Sequence, residues 1–433
     1  MYKRILKMLM SQGFGLLMNI IEKLLMVPLF IHAWGLVKFG EWILVRTIPN
    51  ILLTSDIGIS SHTGNEVNTY SERKDYSQVA KTIYLSIIMM VIILVILMII
   101  GVLQFLIDTR ALFGVSLISK GQFSLAVFLM IIHASLILIS QLICGIGRVK
   151  DNYTFYALMA QIARFLEITS VSVSLFMFRA DIIVVSLCYV LTRILINSIM
   201  MFVLTRELRS INCLGSYKGI ALNEYVSFIK KSVSYASVSI TQTIFMQGSS
   251  IIVANLFGPA MLAIITISRN VSRFLVMFSS LLSKSIWTEL TKLWAKGEVA
   301  KFKKIFNKFA IINSIIITSG LLLMVLFYPW LLKWFNINSN IVPNTFWVFL
   351  AVALHSFLLA ISYYSNIALI ASSNHVGYAK LITVLSLVSL MLFVFISYFM
   401  REIVIAYLIS FCSVEFLTII MIHFIFMKKL DNR

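Results

Sequence analysis

Two arginines, Arg269 and Arg273, stand four residues apart in "TISRNVSRFL" (266–275), inside sequence that is otherwise free of charge. No charged residue lies between Lys231 and Arg269, or between Arg273 and Lys284. A guanidinium stays cationic and presents a rigid fork of donors that matches phosphate and carboxylate oxygens. The chemistry this pattern suits is anion binding. At roughly 100° per residue, Arg273 lies about 40° around a helix from Arg269, and Lys284 about 60°. The three share one face over about 23 Å at a rise of 1.5 Å per residue.

Other cations fall in apolar segments: Lys23, Arg46 with Asn50 four residues later, Arg164 and Arg193. A cation at the centre of a membrane helix costs about 2.5–3.5 kcal/mol on insertion scales, so it is expected to face a partner or a wet cavity. Acids are fewer: Glu22, Asp56, Glu167 and Glu415, with Glu41 near an interface. Sequence proximity matches Lys23 with Glu22, and Arg164 with Glu167 at i,i+3. Arg46, Arg193, Arg269 and Arg273 have no acid neighbour on their own helices, and a hydrated, anion-attracting cavity is expected for them. Lys284 either extends this ladder or snorkels to the interface. Glu22, Asp56 and Glu415 are the candidates for ion coupling. His133, His355 and His423 lie in apolar runs and read as packed, hydrogen-bonded residues. The cysteines are scattered with no CxxC, so neither a metal nor a cofactor is expected. There is no G-x-x-x-x-G-K-[ST] motif.

The elements that must position these groups are membrane helices. Of 433 residues, 60% are hydrophobic and 12% charged, against roughly 45–50% apolar in a soluble domain. Residues 82–107 carry no charge, and about 20 apolar residues cross a bilayer. The runs are continuous, which excludes the alternating strands of a membrane barrel. The reading is an all-α integral membrane protein of about twelve spans, near 12–34, 39–61, 82–107, 122–145, 153–178, 182–204, 232–256, 260–287, 309–332, 344–371, 380–400 and 402–427. Pro28 and Pro49 are expected to kink the first two.

With both ends inside, alternate loops hold 23 Lys and Arg against 6 on the other side. This places both termini in the cytoplasm. It also accounts for the net charge of +19 without nucleic acid. The segments "YSERKDYSQVAK" and "LTKLWAKGEVAKFKK" are basic and amphipathic, and read as helices lying on an anionic leaflet. A polar connection, 206–231, divides the chain into six-helix lobes, 1–205 and 232–433. A gapless shift of 223 residues superimposes Gly35 on Gly258, Arg46 on Arg269, Glu66 on Glu289 and Lys81 on Lys304. The lobes read as parallel repeats. The longest outer loop, near 107–121, is short, and no paired carboxylates or His–Asp cluster stand out, so an enzyme is not expected.

"WGLVKFGEW" (34–42), "DIGISS" (56–61) and the basic stretch before the third span resemble the N-terminal region of Wzx-type polysaccharide flippases. "LTKLWAKGEVAKFKK" after the eighth span is similar too. These proteins belong to the multidrug/oligosaccharidyl-lipid/polysaccharide exporter (MOP) superfamily. The resemblance implies two six-helix lobes around a central cavity, in a bacterial cytoplasmic membrane. It implies transfer of undecaprenyl-pyrophosphate-linked oligosaccharide, such as an O-antigen or other surface-polysaccharide repeat unit, from the inner to the outer leaflet. Membrane lipids, a polysaccharide polymerase and a chain-length regulator are the implied partners. Arg46, Arg269 and Arg273 fit the role of its cationic cavity residues. The alternative is a cation-coupled drug or metabolite antiporter of MATE-like architecture, which would use the acids.

Overall fold

The computed structural model describes residues 20–150, 152–211, 222–337, 344–371 and 375–431, and all regular elements among them are helical. In hydrocarbon every backbone N–H and C=O must find its partner inside the segment, which a helix provides. In chain order the helices are α1 (Val27–Leu52), α2 (Ile59–Glu72), α3 (Tyr76–Leu103), α4 (Thr109–Leu112), α5 (Lys120–Ile146), α6 (Tyr153–Phe178) and α7 (Ile182–Arg209). There follow α8 (Leu222–Ala295), α9 (Val299–Leu326), α10 (Tyr328–Trp334), α11 (Thr345–Ala371), α12 (His375–Met400), α13 (Ile403–Tyr407) and α14 (Ser413–Asp431).

Among the described residues ten stretches are long and apolar enough to cross a membrane, and two of them, Glu22–Glu72 and Gln242–Ser283, run to 51 and 42 residues. That is about twice what one crossing needs. Each is divided by a glycine with the same backbone geometry: Gly35 at φ 77°, ψ 168° and Gly258 at φ 84°, ψ 166°. Only glycine occupies this region readily. The chain reverses at both. Glu22 and Arg46 would stand about 36 Å apart along a straight helix, yet their side chains are 3.6 Å apart. Ser249 and Arg269 would be about 30 Å apart and are hydrogen-bonded at 2.9 Å. The 223-residue register thus relates two one-residue hairpin turns, and dividing the two long stretches raises ten spans to the expected twelve.

The chain forms two compact units, Met1–Gln247 and Gly248–Arg433. In the N-terminal unit α5 is the central post, packed against α1, α2, α3 and α7. It buries small residues, among them Ala126, Ala134, Ser135, Ser140 and Gly145. Small residues let membrane helices approach closely: a Cβ on Gly145 would come within 2.8 Å of the Ser60 carbonyl oxygen. α3 instead turns Val91, Val95, Ile96, Ile99 and Val102 outward, the face a lipid-solvated helix presents. Both prolines lie beside irregular backbone. A π-turn, Glu22–Met26, precedes Pro28, and a 3-10 turn, Leu53–Asp56, follows Pro49. The second span then breaks at left-handed Ile57 and Gly58. Asp56 caps the restart by accepting from the Ser60 N–H and hydroxyl.

The "WGLVKFGEW" motif proves to be a clasp at one end of this unit. Glu41, fully buried, accepts backbone N–H bonds from Ser116 (2.6 Å), Leu117 (2.8 Å) and Ile118 (2.9 Å). Lys38 pairs with Asp181 at 2.9 Å, and Trp34 Nε1 donates to the Ala180 carbonyl. The basic loops gather at the opposite end. Ser71 Oγ donates to the Val149 carbonyl, Lys150 Nζ to Ser210 Oγ, and Lys81 pairs with Glu224 at 2.6 Å.

In the C-terminal unit α11 packs against α9 and α14. "LTKLWAKGEVAKFKK" does not rest its apolar side on lipid, as expected from sequence. Leu290, Leu293, Trp294 and Phe302 are buried in one cluster with Tyr364, Ile367 and Ile422. Amphipathicity alone does not say whether lipid or protein covers the apolar face; here protein does. Of the expected linker, residues 212–221 lie outside the described ones.

A Cβ built on Gly258 would meet nothing within 4 Å, so substitution there perturbs the backbone alone. Gly258→Ala is expected to destabilise the protein by about 1–3 kcal/mol, the usual cost of a residue in a disfavoured region. Thermal unfolding of the purified protein in detergent reads this directly, and Gly121→Ala, at ordinary helical backbone with open space around it, is the control.

Candidate functional site

The predicted residues of the N-terminal unit meet in one place. Glu22, Arg46, Asn50, Asp56, Arg164 and Arg193 all line a cavity of about 660 Å³, together with His133, Gln141, Arg148, Gln161, Glu167 and Tyr189. The reversal at Gly35 brings Glu22 beside Arg46, and the buried faces of α5, α6 and α7 supply the rest.

The pairing of these charges differs from the sequence reading. Arg164 does not take Glu167; its Nη2 and Nε donate to Glu22 Oε2 at 2.6 and 2.9 Å. Arg46 shares Glu22 at 3.6 Å, and Lys23 is within electrostatic range of the same carboxylate. Glu167 turns instead to α7 and α5. Arg193 Nε donates to its Oε1 at 2.7 Å, and His133 Nε2 meets the same oxygen at 3.0 Å. The physical reason is that ion pairs inside a bundle are chosen by facing helices, whereas i,i+3 spacing describes only one helix's own surface. Arg46 and Arg193 line the cavity, as expected, but each also faces a carboxylate of another helix; Glu22 is shared between Arg46 and Arg164, and the wall carries four arginines against three carboxylates.

The C-terminal unit holds the second cluster. Arg269, 7% exposed, donates to Tyr407 Oη (3.1 Å), Ser249 Oγ (2.9 Å) and Ser250 Oγ (3.3 Å). Arg273, half-buried, lies within electrostatic range of Arg269 and Tyr407. Among the described residues neither arginine forms an ion pair. Glu415 is bonded to Ser362, with Oε1 buried and unpartnered, and makes no bond to either arginine among the described residues. The Lys284 side chain lies outside the described ones.

Set side by side, the two clusters have one plan. In the first, the Arg46 guanidinium lies 5.4 Å from the Tyr189 ring, which lies 5.2 Å from the His133 ring. In the second, Arg269 lies 5.8 Å from the Tyr407 ring, itself 5.8 Å from His355. The offsets are 223, 222 and 218 residues for Arg, His and Tyr. Sequence reasoning found the arginine pair, took the histidines as packing and missed both tyrosines. The near-constant offset was the available signal. Where the clusters diverge, charge is the difference. Arg193, four residues after Tyr189, has Phe411 as its counterpart four residues after Tyr407, and Phe411 packs on His355 at 5.6 Å. Arg269 is met by Ser249 and Ser250, which the 223-residue register places at Met26 and Val27, whereas the counterpart of Glu22 is Phe245. Each cluster also adjoins a π-turn, Glu22–Met26 or Leu408–Cys412, a distortion that recurs at functional sites.

No family model matches this sequence, and no curated protein matches it. Solved structures match the fold. One described as the inward-facing conformation of a multidrug resistance MATE family transporter of the MOP superfamily has a TM-score of 0.72 at 12% identity, covering 99% of both chains. An outward-facing conformation, described in the same terms, has a TM-score of 0.53 at 12% identity over 99% of this chain and 96% of that one. A crystal structure of MATE in complex with MaD3S has a TM-score of 0.65 at 11% identity, over 100% and 97%. The chain therefore has the fold of MATE transporters, as a multi-pass helical membrane protein.

Glu167 is 4% and Arg193 7% exposed. Removing one partner of such a pair strands a buried charge at about 3–5 kcal/mol, whereas replacing both by apolar residues is often neutral. Glu167→Gln is therefore expected to lower stability strongly, and Glu167→Leu with Arg193→Met to recover most of the loss. Unfolding of the three proteins in detergent gives the comparison; equal loss in the single and double variants would mean the pair is not the determinant.

Proposed function

We propose that this protein is a flippase for undecaprenyl-pyrophosphate-linked oligosaccharide, moving a surface-polysaccharide repeat unit across a bacterial cytoplasmic membrane by alternating access. The observation that carries the reading is the Arg269–Arg273 pair, whose partners among the described residues are neutral. A buried cation without a counter-charge bears several kcal/mol of desolvation, and an anion offsets it through charge-assisted hydrogen bonds. A diphosphate suits two guanidiniums four residues apart. The N-terminal cavity, with Asn50, Gln141 and Gln161 among its polar lining, suits hydroxyl-rich sugars. Outward movement of an anion runs down an inside-negative potential and gains about 2.3 kcal/mol per charge per 100 mV. The reading carries with it a polymerase and a chain-length regulator as functional partners, and it needs no enzyme activity, metal or cofactor.

A second reading has its own support. Glu22 and Asp56 line the N-terminal cavity, and Glu22 is shared by two arginines, so a cation or proton that displaced those arginines would find a carboxylate ready. A cation-coupled antiporter of drugs or metabolites would use Glu22, Asp56 or Glu415 in this way.

Reconstitution with a fluorescent pyrophosphate-linked oligosaccharide lipid separates them. A hydrogen bond to a charged group contributes about 1.5–3 kcal/mol, so Arg269→Ala and Arg273→Ala are each expected to slow flipping by roughly 10–100-fold. Wild-type rates in both variants would reject diphosphate binding by this pair, and absence of flipping by the wild-type protein would reject the flippase. Loss of drug–proton exchange in Glu22→Gln with Arg269→Ala unaffected would establish the second reading.

A further inference from the structure

At the basic end of the N-terminal unit lies a second, smaller cavity of about 250 Å³, formed where the α2–α3 turn meets the turn at 147–150. It is lined by Lys74, Arg148 and Lys150 against a single acid, Glu72. It is below the roughly 300–1,000 Å³ of sites for drug-sized ligands, and so has room for a headgroup but not a whole glycolipid.

Three features set it apart from a solvated basic surface. First, Arg148 is built in. Its Nη1 donates to Asn65 Oδ1 at 3.0 Å, and its guanidinium lies 4.8 Å from the Tyr153 ring. It packs so closely over Gly64 that a Cβ there would fall 3.1 Å from its Cζ. Its Nε is nonetheless buried with no hydrogen-bond partner. Second, Lys74 holds the left-handed position that ends α2, at φ 58°, its N–H bonded to the Ser71 carbonyl. Glycine is the usual residue at such a cap. A lysine there keeps an ammonium at the pocket mouth at a backbone cost. Third, Arg148 lines both this pocket and the large membrane cavity. One guanidinium therefore belongs to the walls of both.

We propose that this pocket is a docking site for a phosphate group, held by Lys74, Lys150 and Arg148, and that Arg148 connects it to the cavity of Arg46 and Arg164. The phosphate is that of an anionic lipid headgroup or of a free phosphate or diphosphate. The site stands on its own geometry, and binding there does not depend on what the protein carries.

The test uses full-length protein carrying Lys74→Gly together with Lys150→Gln. Glycine suits the backbone at position 74, so the change removes charge without straining the turn, and the unfolding temperature checks that the fold is intact. Inorganic pyrophosphate is titrated against protein in detergent. Retention of phosphatidylglycerol is measured in nanodiscs of phosphatidylcholine with and without that lipid. Loss of two charge-assisted contacts is expected to weaken binding by roughly tenfold or more. Weaker pyrophosphate binding identifies a soluble phosphate as occupant. Weaker phosphatidylglycerol retention alone identifies a lipid headgroup. Unchanged binding of both, or pyrophosphate binding lost in Arg269→Ala but not in the lysine variant, overturns the proposal. The last outcome would leave the Arg269–Arg273 reading standing, so the two fail separately.

Discussion

A guanidinium removed from water must be answered by something, and much of this structure follows from how each buried arginine is answered. In the N-terminal unit the answer is a carboxylate from another helix: Glu22 for Arg46 and Arg164, Glu167 for Arg193. In the C-terminal unit it is a set of hydroxyls and an aromatic face around Arg269. Hydroxyls satisfy donors without cancelling charge. The first cluster is thus nearly complete electrostatically, while the second keeps its charge available.

Both clusters grow from one plan of Arg, Tyr and His set on equivalent helices. In each the tyrosine ring lies within 6 Å of both the arginine and the histidine. Divergence has been confined to the periphery. Arg46 faces a glutamate and Arg269 faces serines from other positions of the paired arm, and Phe411 stands where Arg193 does. The positions that set backbone geometry, Gly35 and Gly258, match between the two units, while those that set local charge differ.

The spans were legible because their signal is local. The edges of α6 were read to the residue from the polar stretches on either side, and Gly35 and Gly258 were found as a pair because a tight reversal tolerates so few residues. The set of residues around the N-terminal cavity was legible too, since charge in apolar sequence is conspicuous. The pairings were not. Arg164 has an acid one turn away on its own helix and still reaches across to Glu22, 142 positions distant, and only three-dimensional packing decides between them. Tyr189 and Tyr407 escaped notice because their offset of 218 residues departs from the 223 that joins the arginines, so a gapless shift does not superimpose them. The clasp made by Glu41 was hidden for a related reason, since its partners are backbone N–H groups, which any sequence possesses.

The one-residue reversals have a further meaning for how the chain enters the bilayer. A turn of this kind leaves no hydrophilic stretch that could wait on the far side while the next segment is synthesised. Arms joined by so tight a reversal at Gly35 are suited to enter the bilayer together, as a helical hairpin. In that form Glu22 and Arg46 already neighbour each other, so the two charges reach the hydrocarbon as a neutral pair at far less cost than either alone. At Gly258 the corresponding arm brings serine hydroxyls to Arg269 in the same step. Biogenesis and the finished site thus draw on the same contacts.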